Sequence, residues 1–172
     1  MAIDFPDGSE VFVDANIFIY HFSGPTEYTD SCTQFLQRIE DGELLGLTSM
    51  LVVVETLHRL MIIEATSKLQ IEPRVAIRHL KAHPSDVMKL TDHLTVADKI
   101  RALVEILPVD FVHVLTSSEI KKTYGLLTND AINLAIMRVR HLGNIATNDP
   151  DFERIPDLVA WKPLRTVSTA KP

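Results

Sequence analysis

Short apolar runs alternate with stretches of helical periodicity along this chain, and that alternation constrains the fold more than any other feature. Strands buried on both faces read as continuous apolar runs, and parallel neighbours need a helical crossover between them. The runs VFVDA (Val11 to Ala15), LLGLT (Leu44 to Thr48), VDFVHVL (Val109 to Leu115), IAT (Ile145 to Thr147) and LVAW (Leu158 to Trp161) are the expected strands. Between the first two, the turn signal SGPTEYTD precedes an amphipathic helix with Cys32, Phe35, Leu36 and Ile39 on one face, closed near Gly42. A long helix follows, with Leu51, Val54, Leu57, His58 and Met61 on its apolar face. Residues 71–107 read as further helix, broken at Pro84 and closed by Pro108. A short helix (SSEIKKTY) is expected to end at Gly125, and another from Thr128 to Leu142, capped by Thr128 or Asn129 and stopped by Gly143. The fold class is therefore α/β: one domain over 1–165, with a mainly parallel twisted sheet flanked by helices, and a loose tail over 166–172.

Length and composition agree. The chain has 172 residues, 46% of them hydrophobic, enough for one continuous core. A single cysteine, Cys32, excludes an internal disulfide and a multi-thiolate zinc site. The acidic start MAIDFPDGSEVF lacks the basic and apolar parts of a secretory signal, and no apolar run reaches the roughly 20 residues of a membrane span. A soluble cytoplasmic protein without membrane attachment is the simplest expectation. The net charge of −6 argues weakly against gripping nucleic acid by bulk electrostatics, but allows acids concentrated at one site.

Four acids fall where an open parallel sheet gathers its ligands, beyond the carboxyl ends of its strands. Asp14 ends the first run, Asp149 follows the fourth in IATNDPDF, Glu55 lies on the helix after the second, and Asp130 opens a helix in LLTNDAINLAI. Taken singly, each has an ordinary explanation as a turn, solvent-facing or helix-start residue. Together they would repel. Two carboxylates about 5 Å apart cost roughly 3 kcal/mol at an effective dielectric near 20. Such a cluster needs a cation or a bound proton, and an all-oxygen donor set suits Mg²⁺ or Mn²⁺ better than zinc.

Those residues, in that order, resemble the PIN-domain nucleases. The anchors are VFVDANIFIY with Asp14, TSMLVVVETLHRL with Glu55, LLTNDAINLAIM with Asp130 and IATNDPDF with Asp149. The resemblance spans about Val11 to Pro163, and the chain's compact size is most similar to the VapC-like toxins of toxin–antitoxin pairs. It implies a metal-dependent endoribonuclease that cuts RNA with Mg²⁺ or Mn²⁺. Asp14, Glu55, Asp130 and Asp149 would be the catalytic, metal-binding acids, with Asn16, Ser49, Thr147 and Asp151 as supports. An antitoxin partner and a homodimer are further implications. The helical stretch from about 71 to 107 is longer than a minimal toxin needs. The alternative is a catalytically idle PIN-like RNA- or protein-binding module.

Other chemistries fit less well. A phosphoryl-accepting Asp14 would want a second acid two residues on, where Asn16 stands, and no GxGxxG follows the first strand. The seven histidines, among them His21, His58 and His113, read as packing or surface residues without paired metal spacing. The clusters Lys121, Lys122 and Tyr124, and Arg138, Arg140 and His141, read as solvated helix faces, with phosphate contact as the functional option.

Overall fold

Strand β1 (Glu10–Val13) runs through the middle of a five-stranded sheet, and every pairing in that sheet is parallel. The computed structural model describes residues 4–166. Around β1 the order is β3-β2-β1-β4-β5, with β2 at Leu45–Ser49, β3 at Glu105–Leu107, β4 at Asn144–Ala146 and β5 at Val159–Trp161. Register is fixed by Phe12 opposite Leu47 on one side and Ile145 on the other. Val11, Phe12 and Val13 are wholly buried, as a central strand covered by helices on both faces must be. At the edges Glu105 and Val159 reach solvent. Gly46 lets the covering layer close on β2, because a Cβ there would lie 2.6 Å from Val104 Cγ1 and 2.9 Å from Ile39.

Helices supply the crossovers: α1 (Ala15–Phe22), α2 (Thr29–Glu40), α3 (Met50–Leu69), α4 (Pro73–Ala82), α5 (Pro84–Val87), α6 (Val96–Leu103), α7 (Phe111–Tyr124) and α8 (Thr128–Val139). Short 3-10 turns occupy Asp92–Thr95 and Pro150–Arg154. The main core joins the sheet to α1, α2, α3, α6 and the Ile132, Ile136 and Met137 face of α8, and Trp161 packs on Phe35 with ring centroids 4.4 Å apart. Burial pushes the Cys32 thiol up to about 12, so it behaves as a small apolar residue. Ile120, Leu126, Leu134 and Ile155 form a second cluster at α7 and α8. Ala65, Leu80 and Leu90 form a third, which seats the helical extension on α3.

The structure corrects several sequence expectations. The segment 109–115 is not a strand. Most of it is the start of α7, whose inward face is His113, Ser117 and Ile120 at helical spacing. The Asp110 backbone N–H donates to His113 Nδ1 at 3.0 Å and fixes that start. The third strand lies just upstream, at 105–107, where the expected helix was to continue; pairing with β2 decides it. Helix α1 was missed, because ANIFIYHF is apolar enough to extend the preceding strand. On α3 the buried stripe is Val52, Val53, Thr56, Leu60 and Glu64, while Val54 is exposed. The run LVVV is apolar all round and does not fix the rotation. Helix α8 begins at Thr128 as expected, but Leu127 holds the cap position without a side-chain bond. It ends before His141, which takes a left-handed turn ahead of Gly143. Thr166, the first residue of the expected tail, donates its N–H to the Glu27 carbonyl at 2.7 Å; residues 167–172 lie outside the described residues.

Candidate active site at the switch point of the sheet

Chain direction across the sheet reverses at β1, with β2 to one side and β4 to the other. Such a switch point opens a crevice beyond the strand ends. Asp14 follows β1 and Thr147, Asn148 and Asp149 follow β4, so the acids of two strand ends meet there. Glu55 comes from the second turn of α3 and Asp130 from the first turn of α8. Asp14, Asn16, Glu55, Asp130 and Asp149 all line one open cleft of about 320 Å³, together with Tyr20, Arg59 and Asn148.

Asp14 is the most constrained member. It is buried, and it caps α1: Oδ1 accepts the Ala15 N–H at 2.7 Å. Its Oδ2 accepts from Asn16 Nδ2 at 2.5 Å and from the Thr147 hydroxyl at 2.6 Å. Thr147 Oγ1 in turn accepts the Asp149 N–H at 3.0 Å, and Asn16 Oδ1 accepts the Asn148 N–H at 2.9 Å. Asn16 and Thr147 thus tie the two strand ends together. Asp149 caps the following 3-10 turn by accepting the Asp151 N–H at 2.8 Å. Asp151 points into that turn and pairs with Arg154 at 2.5 Å, so it borders the cleft rather than lining it. Asn129 Nδ2 approaches Glu55 Oε2 at 3.4 Å.

Ser49 departs from expectation. It is fully buried and does not line the cleft. Its hydroxyl donates to Asn133 Oδ1 at 2.7 Å and accepts the Val52 N–H at 3.1 Å, so it caps α3 and ties it to α8. Asn133, absent from the expected set, shares that bond. Arg59, also unexpected, follows Glu55 by one helical turn, and that spacing was the available signal. Asn148 was hidden between Thr147 and Asp149; its side chain donates to the Tyr20 hydroxyl at 3.1 Å.

The electrostatics are those of unneutralised carboxylates. Burial pushes Asp14 up to about 6, against hydrogen bonds from Thr147 and Ala15 that hold it down, with Glu55 and Asp149 adding repulsion. Burial likewise raises Asp130 to about 7, reinforced by the charges of Asp14, Asp149, Glu55 and Asp151. Four carboxylates face one cationic side chain, Arg59, in the lining. The donor atoms are all oxygens or amides, which suits a hard divalent cation, and the raised acids mark the charge such an ion would neutralise.

An all-parallel α/β domain with an acid-ringed, oxygen-only cleft at its switch point belongs to a class of proteins equipped to hold a hard cation. The PIN domain family model matches residues 11–158, and the chain belongs to that family. It is 30% identical over 149 residues to Ribonuclease VapC2 of Methanocaldococcus jannaschii, an alignment covering 86% of this chain and 89% of that one. The fold is shared with VapBC2 from Rickettsia felis bound to a promoter DNA fragment, at TM-score 0.54 and 16% identity over 89% of this chain and 98% of that one. It is also shared with Mycobacterium tuberculosis VapC20, a toxin cleaving the sarcin-ricin loop, at TM-score 0.57 and 16% identity over 83% and 92%. No helix among the described residues is long and apolar enough to cross a membrane.

Proposed function

We propose that this chain is a VapC-like endoribonuclease, the toxin of a toxin–antitoxin pair, and that it hydrolyses RNA phosphodiester bonds with Mg²⁺ or Mn²⁺ held by Asp14, Glu55, Asp130 and Asp149. The observation that carries this reading is the meeting of four carboxylates in one cleft, two of them pushed toward neutral pH. The VapC2 relative, named a ribonuclease, supports it. When bound, the ion supplies an activated water and screens the charge that develops on the phosphate. The chain's own residues set the stage. Asn16, Thr147 and the Ala15 N–H fix Asp14 so that its orientation is set before any ligand arrives. Arg59 stands exposed at the rim, the one cationic side chain among the described residues that line the acid cleft, placed to meet an entering phosphate. Asp151, paired with Arg154, steadies the turn that carries Asp149.

Cleavage of RNA in MnCl₂ or MgCl₂, abolished by EDTA, is the expected behaviour. Asp14→Asn keeps the shape of the side chain and should lower the rate at least about 100-fold, since it removes a ligand charge at the reacting centre. Undiminished cleavage by that variant would reject the site. Binding of RNA with no cleavage by the wild-type protein would instead favour the idle binding module.

Antitoxin recognition follows from the same charge: a basic side chain entering the cleft would neutralise the acids and block the ion. A second copy of the chain is the expected partner for the apolar residues exposed on the first turns of α7, where Phe111 is 73% exposed, Leu115 59% and Val112 55%. Light scattering should give a dimer mass, and Phe111→Glu should give a monomer; a wild-type monomer at tens of micromolar would refute the interface.

A further inference from the structure

The helical extension carries a second constellation that shares no residue with the acid cleft. His79 and His83 stand four residues apart across the end of α4, and i,i+4 spacing sets side chains on one helix face. The expectation that no histidines share a metal-type spacing is therefore wrong for this pair. Their rings stack with centroids 4.2 Å apart and 20° between planes. His79 Nε2 lies 2.8 Å from Oδ2 of Asp86, on α5. One possible ligand atom from each of His79, His83 and Asp86 falls within 4.8 Å of the others.

The hydrogen bonds settle which nitrogen is available. His83 Nδ1 is 2.9 Å from the His79 main-chain carbonyl, which can only accept, so Nδ1 carries the hydrogen. In the neutral ring Nε2 then presents its lone pair. A backbone carbonyl on the far nitrogen is the usual second partner of a metal-bound imidazole, since it sets both tautomer and ring orientation. Asp86 is steadied in the same way: Lys89 Nζ donates to its Oδ1 at 2.7 Å, leaving Oδ2 to face His79.

We propose that His79, His83 and Asp86 form a binding site for a borderline transition-metal ion, Zn²⁺ above all, which pins α5 to α4. Two imidazoles and one carboxylate with room for water are a three-ligand zinc set, and two nitrogens distinguish it from the oxygen-only cleft that suits Mg²⁺. In a tetrahedral ion with bonds of about 2.0–2.1 Å the ligand atoms stand about 3.3 Å apart. Loading therefore draws the cluster in by up to about 1.5 Å, which rotation of the exposed His83 side chain can supply. Binding through His79 Nε2 takes the place of the hydrogen now shared with Asp86, and in the neutral ring that hydrogen moves to Nδ1. Pro84, at the start of α5, also walls an apolar groove with Val87, Leu80 and Ile77, so the ion would fix one side of that groove.

The test is a calorimetric titration of the EDTA-stripped, dialysed chain with ZnCl₂ in excess MgCl₂, added to compete for the acid cleft. Wild type is expected to bind one equivalent. His83→Ala, exposed and outside the core, should weaken that binding at least about 100-fold, with an unchanged circular dichroism spectrum as the check on folding. Asp130→Asn should bind Zn²⁺ as wild type does. CoCl₂ should give the visible absorption of a tetrahedral ion in wild type and lose it in His83→Ala. Zinc uptake that survives His83→Ala, or is lost in Asp130→Asn, overturns the assignment, as does no uptake by wild type.

Discussion

At the scale of single residues, the cleft separates side chains that orient from side chains that charge. Asp14 has a partner for each oxygen, so its position follows from β1, α1 and Thr147. Arg59 has no such web. It is exposed at the rim, its charge opposite to that of the four carboxylates in the lining. Arg59→Ala is therefore expected to leave stability within about 0.5 kcal/mol, as for most surface changes. It should raise KM for RNA about tenfold with little change in kcat, because a phosphate contact made alike in ground and transition states is uniform binding. Steady-state kinetics on a short RNA decide it; a fall in kcat with KM unchanged would place Arg59 in the transition state instead. Asp14 and Asp149 stood out in sequence because they follow apolar strand runs, whereas Glu55 and Asp130, on helices, drew notice only through their order together with those two. Arg59, Asn133 and Asn148 did not stand out, because a polar residue on a helix or in a turn has many ordinary reasons to be there. Ser49 shows the converse: its place at a strand end suggested the cleft, yet its hydroxyl turns to Asn133 and the start of α3.

At the scale of elements, the parallel α/β order was readable and the assignment at 105–124 was not. VDFVHVL is rich in β-branched and aromatic residues, yet β-propensity only reports fit to a half-buried pleat, and the place beside β2 is taken by Glu105–Leu107. Phe111, Val112 and Leu115 are left exposed by that choice, so the apolar signal was real but belonged to surface. Equally invisible was the anchor of the extension. Glu64, buried on α3, accepts from Lys68 at 2.8 Å, from the N–H groups of Thr91 and Asp92 at 2.7 and 3.1 Å, and from His93 Nδ1 at 2.8 Å. Burial would raise its carboxyl, but the bonds from Lys68, His93 and the backbone outweigh burial and hold it at about 2. Glu64→Gln keeps the shape and forfeits the charge, leaving Lys68 and His93 short of a partner. It should cost about 2–4 kcal/mol in urea unfolding. Because the folded carboxyl titrates lower than the unfolded one, this contribution is complete above about pH 4.5 and is lost as pH falls toward 2. A variant as stable as wild type at pH 7 would show that the anchor holds nothing.

At the scale of the whole molecule, the acid cleft and the fold pull against each other. Asp14 and Asp130 bind protons more tightly folded than unfolded, at about 6 and 7 against 3.8. Linkage then gives the sign: where the folded state holds more protons, stability falls as pH rises. The advantage is complete below about pH 4 and disappears through pH 6–7 as both groups ionise. Each pKa unit is worth about 1.4 kcal/mol, and with solvent screening at the part-exposed Asp130 the pair should weaken the metal-free protein by about 2 kcal/mol between pH 5 and pH 8. At a small domain's few degrees per kcal/mol, that lowers Tm by roughly 5–8 °C in EDTA. A bound divalent ion reverses the preference, because it stabilises the ionised acids and must displace their protons. Saturating MnCl₂ should therefore raise Tm strongly at pH 8 and little at pH 5, and its binding near pH 6.5 should release protons, read as heats that change with buffer ionisation enthalpy. Asp130→Asn removes the carboxylate whose ionisation is resisted more strongly and should make the metal-free protein more stable at pH 8 while abolishing the Mn²⁺ effect. If the melting curves in EDTA and in MnCl₂ ran parallel across this pH range, the carboxylates would not be held close enough to repel, and the cleft would have no cause to take up an ion.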